Sequence, residues 1–305
     1  MIRLGLCCKF EREPIKFLTT TALHAGRLKP AARAEKLAGL CAANAAALRR
    51  SLEYCAAHGI DCFRINSQLL PLKTHPSLGY DLAGLPGGKK TIAEFKACGA
   101  LARGLDLRLT FHPDQFILLS SPNPAVTASS VKELEYQAEA AGWTGADVIT
   151  LHGGGAYGDK AAALARAAAA LKKLSKAVRS RLALENDDRV YTPADLLPFC
   201  EANRVPFVYD VHHHRCLPDG LSEEEVTRRA IATWDREPLF HLSSPKDGWK
   251  ASDPRPHADY IDLKDLPRCW RGLDITVEVE AKAKETAIAR LRRQLEEKWK
   301  IRTRR

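Results

Sequence analysis

The stretch DVITLHGGGAYGDKAAALARAAAALKKLSKAVRSRLALEN (147–186) reads as two β-strands joined by a helix. DVITLH (147–152) and RLALEN (181–186) are short and β-rich. The segment between them, 160–178, is rich in Ala and Leu at helical spacing, and Ala is the strongest helix former. A strand, a helical crossover and a second strand make a parallel unit. Each strand also ends beside a residue able to bind a metal, His152 and Glu185.

The same alternation continues in both directions. Strand-like runs lie at 2–7, 61–66, 107–112, 207–212, 239–244 and 275–281, which brings the total to eight. Helical patterns fall at about 33–57, 91–104, 127–142, 193–203, 222–234 and 283–299. Thr192 and Pro193 form a helix start, with Thr192 as N-cap and Pro193 in the first turn. Residues 245–274 are rich in Pro, Gly, Asp and Lys and are expected to form a loop across a barrel mouth. Eight evenly spaced strands predict a single-domain α/β fold, the (β/α)8 TIM barrel. The expected division is a barrel over 1–281 and a basic helix and tail, 282–305, closing it. A doubly wound open sheet is the competing architecture, but no G-x-G-x-x-G turn follows the first strand.

Composition narrows the class. The chain has 305 residues, 45% of them hydrophobic, enough for a sizeable core. No apolar run approaches the roughly 20 residues of a membrane span. The start, MIRLGLCCKF, reads as a strand rather than a leader, so a cytoplasmic location is expected. The nine cysteines contain no C-x-x-C pair and read as buried thiols. Net charge is +10, and residues 282–305 hold ten Lys/Arg against three Glu. That concentration suits a polyanionic partner as well as it suits a solvated helix face.

In barrels of this kind, functional groups come from the C-terminal ends of the strands. Here those ends carry His112, His152, Glu185, Asp210 and Glu280, and strand seven contains His241. One such histidine is usually a hydrogen-bonded structural residue. Six strands agreeing is different, because so many buried ionisable groups need cations to neutralise them. Imidazole with carboxylate suits zinc, manganese or iron. After Asp210 comes the run His212–His214. Strand pleating favours His212 and a turn favours His213, and spacing leaves both open. His214 reads as a supporting group, and His24 and His58 as structural. His75 and His257 lie in loops after strands two and seven, on the mouth side.

The linear motifs carry a resemblance. FRINSQLLPLKTH (63–75), LTFHPDQF (109–116), ITLHGGG (149–155), LALENDD (182–188), YDVHHH (209–214), FHLSSP (240–245), HADYI (257–261) and VEVEAKAKE (277–285) run in order over nearly the whole chain. Together they resemble the UV damage endonuclease family. The resemblance implies up to three divalent ions, commonly manganese, with zinc and magnesium as alternatives. It assigns metal positions to His112, His152, Glu185, Asp210, His213, His241, His257 and Glu280, and places His75 near the metals. Glu185, Asp210 and Glu280 are the expected catalytic carboxylates, with Glu185 and Asp210 as the bridging pair.

In the family, a Gln followed by an aromatic probes the duplex at the lesion. Here these are Gln115 and Phe116. An aromatic wedge can fill the gap left by unstacked bases. The partner implied is double-stranded DNA carrying UV or other base damage, cut immediately 5′ of the lesion. No obligate protein partner is evident. Two departures, Leu6 where some members carry Tyr and Leu239 where some carry Lys, are expected to touch the active-site region. An abasic-site endonuclease of the endonuclease IV type and a metal-dependent sugar isomerase or epimerase are the rival readings. Gln115–Phe116 and the basic tail favour DNA over a sugar.

Overall fold

The computed structural model describes residues 1–299. Its sheet is a closed barrel of eight parallel strands in sequence order. They are β1 Ile2–Cys7, β2 Cys62–Ile65, β3 Arg108–Phe111, β4 Val148–His152, β5 Leu182–Glu185, β6 Phe207–Asp210, β7 Leu239–Leu242 and β8 Ile275–Val279. Helices are α1 Ala22–Arg27, α2 Pro30–Ala57, α3 Gly88–Gly104, α4 Pro124–Thr144, α5 Lys160–Leu171, α6 Lys176–Arg179, α7 Pro193–Asn203, α8 Val211–Cys216, α9 Glu223–Ala232 and α10 Lys284–Gln294. All eight expected strands are present, with ends moved by one or two residues.

Local chemistry accounts for the helix starts. The Asn123 side chain accepts from Ala125 N ahead of Pro124, and Asp159 accepts from Ala162 N ahead of α5. Thr192 and Asp195 form a reciprocal capping box at α7. Gly145 ends α4 at φ 78°, a left-handed conformation that glycine adopts without steric cost.

Burial on both faces explains why the strands read as near-continuous apolar runs. Their outer faces meet the helices through side chains such as Leu6, Phe63, Phe111, Ile149, Phe207 and Phe240, all buried. Each such side chain contributes about 1.5–3 kcal/mol when fully buried. Inside the barrel, Val148, Ala183, Val208 and Leu239 form a separate apolar layer. Two residues further along β5, β6 and β7, on the same face of the pleat, stand Glu185, Asp210 and His241. The apolar layer is therefore the floor of a polar mouth.

Two expectations need correction and one, the long loop, gains detail. The segment 211–212, read as the end of strand six, belongs to α8, because Asp210 caps a helix by accepting from His213 N. The 245–274 segment is not featureless: it holds short helical turns at Leu263–Asp265 and Arg268–Trp270, with Trp270 fully buried. Its course is pinned where Ser244 Oγ and Trp249 Nε1 both donate to Asp265, at 2.5 and 2.8 Å. Leu6, finally, is not a mouth residue. It pairs in register with Phe63 on the outer face of β1, while Gly5 faces inward toward Glu278 and Cys62. Leu239 does face inward, one pleat below His241.

α10 packs across the start of the barrel through Ile288 and Leu291. Its buried Glu285 accepts the backbone N–H groups of Glu11, Arg12 and Glu13, tying down the loop after β1. Residues 300–305, the last part of the expected basic tail, lie outside the described residues.

Candidate metal centre

Because the strands are parallel, all their C-terminal ends open at one mouth. There, Glu185 at the end of β5 is the hub. It is 1% exposed and surrounded by imidazoles. Its Oε2 lies 2.8 Å from His112 Nε2 and 3.8 Å from His152 Nδ1. Its Oε1 lies 2.8 Å from His241 Nδ1 and 3.4 Å from His213 Nδ1. Two sets of donor atoms are mutually close enough to share an ion, His112–His152–Glu185 and Glu185–Asp210–His241. Glu185 belongs to both, as a bridging carboxylate would.

Hydrogen bonds set the rings. His112 Nδ1 donates to the Pro113 carbonyl at 2.9 Å, which turns its Nε2 toward Glu185 Oε2. His213 Nδ1 donates to the Asn186 carbonyl at 2.9 Å and lies 3.4 Å from Glu185 Oε1. Fixing one ring nitrogen to dedicate the other is the usual way proteins orient metal-binding histidines. Asn186 also braces β5 to β6 by exchanging two hydrogen bonds with the Asp210 backbone.

Three buried atoms near this mouth have no hydrogen-bond partner, Asp210 Oδ2, His152 Nδ1 and, beneath the loop, His212 Nδ1. Leaving a buried polar atom unpaired costs about 1–3 kcal/mol, more for a charge. Asp210 and His152 belong to different donor sets that share Glu185, so a cation in each set would satisfy them. The donor set, imidazole nitrogen and carboxylate oxygen, fits divalent zinc, manganese or iron.

Electrostatics agree. Glu185, Asp210, Glu278 and Glu280 with Arg64 leave three uncompensated negative charges if the histidines are neutral. Burial opposes ionisation of Glu185, but His241 and His152, with hydrogen bonds from His112 and His241, hold it well below the usual carboxylate range. Burial also opposes charge on His213, yet Asp210, Glu185 and Glu280 push it up to about 9. His241 is likewise opposed by burial and pushed up to about 10, chiefly by Glu185. Burial lowers His152 despite Glu185, so that ring is neutral. In the metal-free protein, protons on His213 and His241 stand where cations would.

The remaining expected residues fall into three places. Glu280 lies just past β8, its Oε1 2.6 Å from Arg64 Nη1 and 3.7 Å from His241 Nδ1. His257 comes from the long loop to stand 3.8 Å from Glu280, with its ring 6.4 Å from that of His213. Eight expected donors are thus brought together. His212 is not one of them: its Nε2 meets the Arg255 carbonyl and its ring packs on Trp249, supporting the loop. His214 is spent on Tyr209 and Asp219. His75 is engaged by its own loop, its Nδ1 accepting from the backbone of Ser77 and Leu78, away from the cluster.

Gln115 and Phe116 stand on the rim. With Lys9, Asn66, Gln68 and His112 they line a cavity of about 530 Å³ beside the centre. Phe116 is 75% exposed, so it is no core aromatic. Sequence reasoning missed Arg64 and Glu278, which lie buried beneath the centre. A signal existed: Glu278 is two residues before Glu280 on one strand face, and Arg64 is a charge inside an apolar strand.

Comparison with known proteins follows this geometry. The UV-endonuclease UvdE family matches residues 2–304. The UV DNA damage endonuclease of Bacillus velezensis is 38% identical over 297 residues, 93% of this chain and 89% of that protein. That of Deinococcus radiodurans is 37% identical over 305 residues, covering 95% and 94%. The crystal structure of SacUVDE superposes with a TM-score of 0.87 at 26% identity, covering 99% of this chain and 100% of the other. With the family pattern matching from the second residue almost to the last and the barrel superposing throughout, the chain belongs to the UV-endonuclease UvdE family.

Proposed function

We propose that this protein hydrolyses a phosphodiester bond of double-stranded DNA immediately 5′ of UV-damaged or otherwise lesioned bases, using divalent metal ions. The observation that carries the reading is the bridging hub. One buried glutamate is shared by two sets of donor atoms, with unpartnered buried polar atoms in both sets and an exposed aromatic at the rim. The relatives' name supplies the lesion.

His112, His152, Glu185, Asp210, His213, His241, His257 and Glu280 would hold up to three ions, with manganese our choice over zinc or magnesium. Bound there, divalent ions supply Lewis acidity, acidifying water and stabilising charge on a phosphoryl oxygen. The chain's own groups do the rest. Glu185 and Asp210 bring the donor sets together, and Glu280 closes the third side. Phe116 and Gln115 occupy the space left when a damaged pair is displaced, a displacement that costs less for damaged bases. Lys9 and the basic segment 282–305 attract the phosphate backbone. Within that segment, α10 packs against β1 and β8 of the barrel formed by 1–281. No described helix is long and apolar enough to cross a membrane, and we place the activity in the cytoplasm.

The test is direct. Ultraviolet-irradiated supercoiled plasmid incubated with the protein and manganese is expected to become nicked circles, and untreated plasmid is not. Glu185→Gln is expected to abolish nicking while leaving the circular dichroism spectrum unchanged. Cleavage of abasic DNA alone would move the protein to an endonuclease IV-type lesion range. Inertness on irradiated, abasic and untreated plasmid with the metals loaded would overturn the proposal.

A further inference from the structure

Beneath the metal centre lies a buried polar group that the proposed reaction does not use. Glu278, fully buried on β8, receives four neighbours. Its Oε2 is 2.6 Å from Arg64 Nε and 3.1 Å from His241 Nε2. Its Oε1 accepts the Thr110 hydroxyl and lies 3.9 Å from Cys62 Sγ. Arg64 in turn reaches up, with Nη1 2.6 Å from Glu280 Oε1. The slot for the Glu278 side chain exists because β1 has glycine opposite it: a Cβ on Gly5 would stand 3.0 Å from Glu278 Cγ.

We propose that Glu278, held by Arg64, is a positioning residue that keeps the His241 proton on Nε2 and so leaves Nδ1 as the atom that binds a metal ion. The inference rests on the metal-centre reading above. A neutral imidazole has one N–H and one lone pair. His241 Nδ1 points to the centre, 2.8 Å from Glu185 and 3.7 Å from Glu280. It can serve as a ligand only if the proton sits on Nε2, and Glu278 Oε2 is the acceptor that keeps it there. The opposite arrangement is also built in, since Arg64 Nη2 lies 3.0 Å from the same Nε2 and can donate to it. A neutral ring held that way would keep its proton on Nδ1, against Glu185, and could not bind an ion there. With Nε2–H on Glu278, Arg64 is left to bind Glu278 and Glu280, and Nδ1 would be free for an ion. Carboxylates behind metal-binding histidines act in this way in other centres, and their loss costs about 10–100-fold in metal affinity or activity.

The experiment needs no DNA, so it separates this inference from the proposed reaction. Manganese is titrated by calorimetry into metal-free wild type, Glu278→Gln and the double variant Arg64→Met/Glu278→Gln. The double variant removes the buried charge pair together and guards against misfolding of the single one. Both variants are expected to bind manganese about 10–100-fold more weakly than wild type. Nitrogen-15 histidine spectra of the zinc-loaded protein are expected to show His241 protonated at Nε2 in wild type and a mixture in the variants. Affinity within about twofold of wild type in Glu278→Gln, or its full return in the double variant, would overturn the inference, since Glu278 would then merely neutralise Arg64. If wild type takes up no manganese, the metal reading itself falls.

Discussion

Filling the centre with metal at neutral pH is expected to expel protons. In the metal-free protein His213 titrates at about 9 and His241 at about 10, because the carboxylates around them outweigh burial. Both positions are needed by metal, and only unprotonated nitrogen binds it. At pH 7, His213 lies two units and His241 three units below its folded value. At about 1.4 kcal/mol per unit, removing the two protons opposes binding by about 3 and 4 kcal/mol. Below pH 9 both protons are released, so the apparent constant for filling the set rises by about two decades per pH unit. Manganese is to be titrated into metal-free protein in two buffers of different ionisation enthalpy. The buffer dependence of the heat gives the protons released, expected to be about two at pH 7 and fewer than about one above pH 9.5. For the stability of the metal-free fold the sign is opposite. These folded-state values are raised, so the stabilisation is full below the unfolded value near 6.5 and is lost as pH rises through 9 to 10. Release near zero at pH 7, or an affinity flat between pH 6.5 and 8.5, would show that these histidines are already neutral and refute the charge balance.

Two other outcomes follow from the rim and from the floor. Phe116→Ala removes a side chain that is 75% exposed, so stability should stay within about 0.5 kcal/mol of wild type. If Phe116 meets a base, binding of irradiated duplex in a gel-shift assay should weaken by about 1–3 kcal/mol, and unchanged binding would remove it from the DNA interface. Gly5→Ala would place a methyl group 3.0 Å from Glu278 Cγ and 3.2 Å from Cys62 Cβ, both buried. Overpacking of this kind costs about 1–3 kcal/mol, so thermal unfolding should move down together with manganese affinity, and an unmoved midpoint would mean the slot has room to spare.

The barrel was legible in the sequence because its signals are local. Strands buried on both faces read as apolar runs, and Thr192, Asn123 and Asp159 announce helices through hydrogen bonds spanning two or three residues. The donors at strand ends were legible too, since parallel strands bring all their ends to one mouth. The family motifs singled out His213 from its run, and the structure supplies the reason: Asp210 turns the chain into a helix at that point, which swings His212 under the loop and His213 beside Glu185. His75 shows where order along the chain misleads, since its loop takes up its ring.

What the sequence determined by itself was the barrel and a ring of nitrogen and oxygen donors, because periodicity and strand parity are properties of neighbouring residues. Only tertiary structure decided that Glu185 is the hub, that Leu6 faces the helices, and that Arg64 and Glu278 stand under His241. Those relations join residues up to 214 positions apart, Arg64 to Glu278, and they depend on barrel register and on a missing side chain at Gly5, which no local pattern encodes.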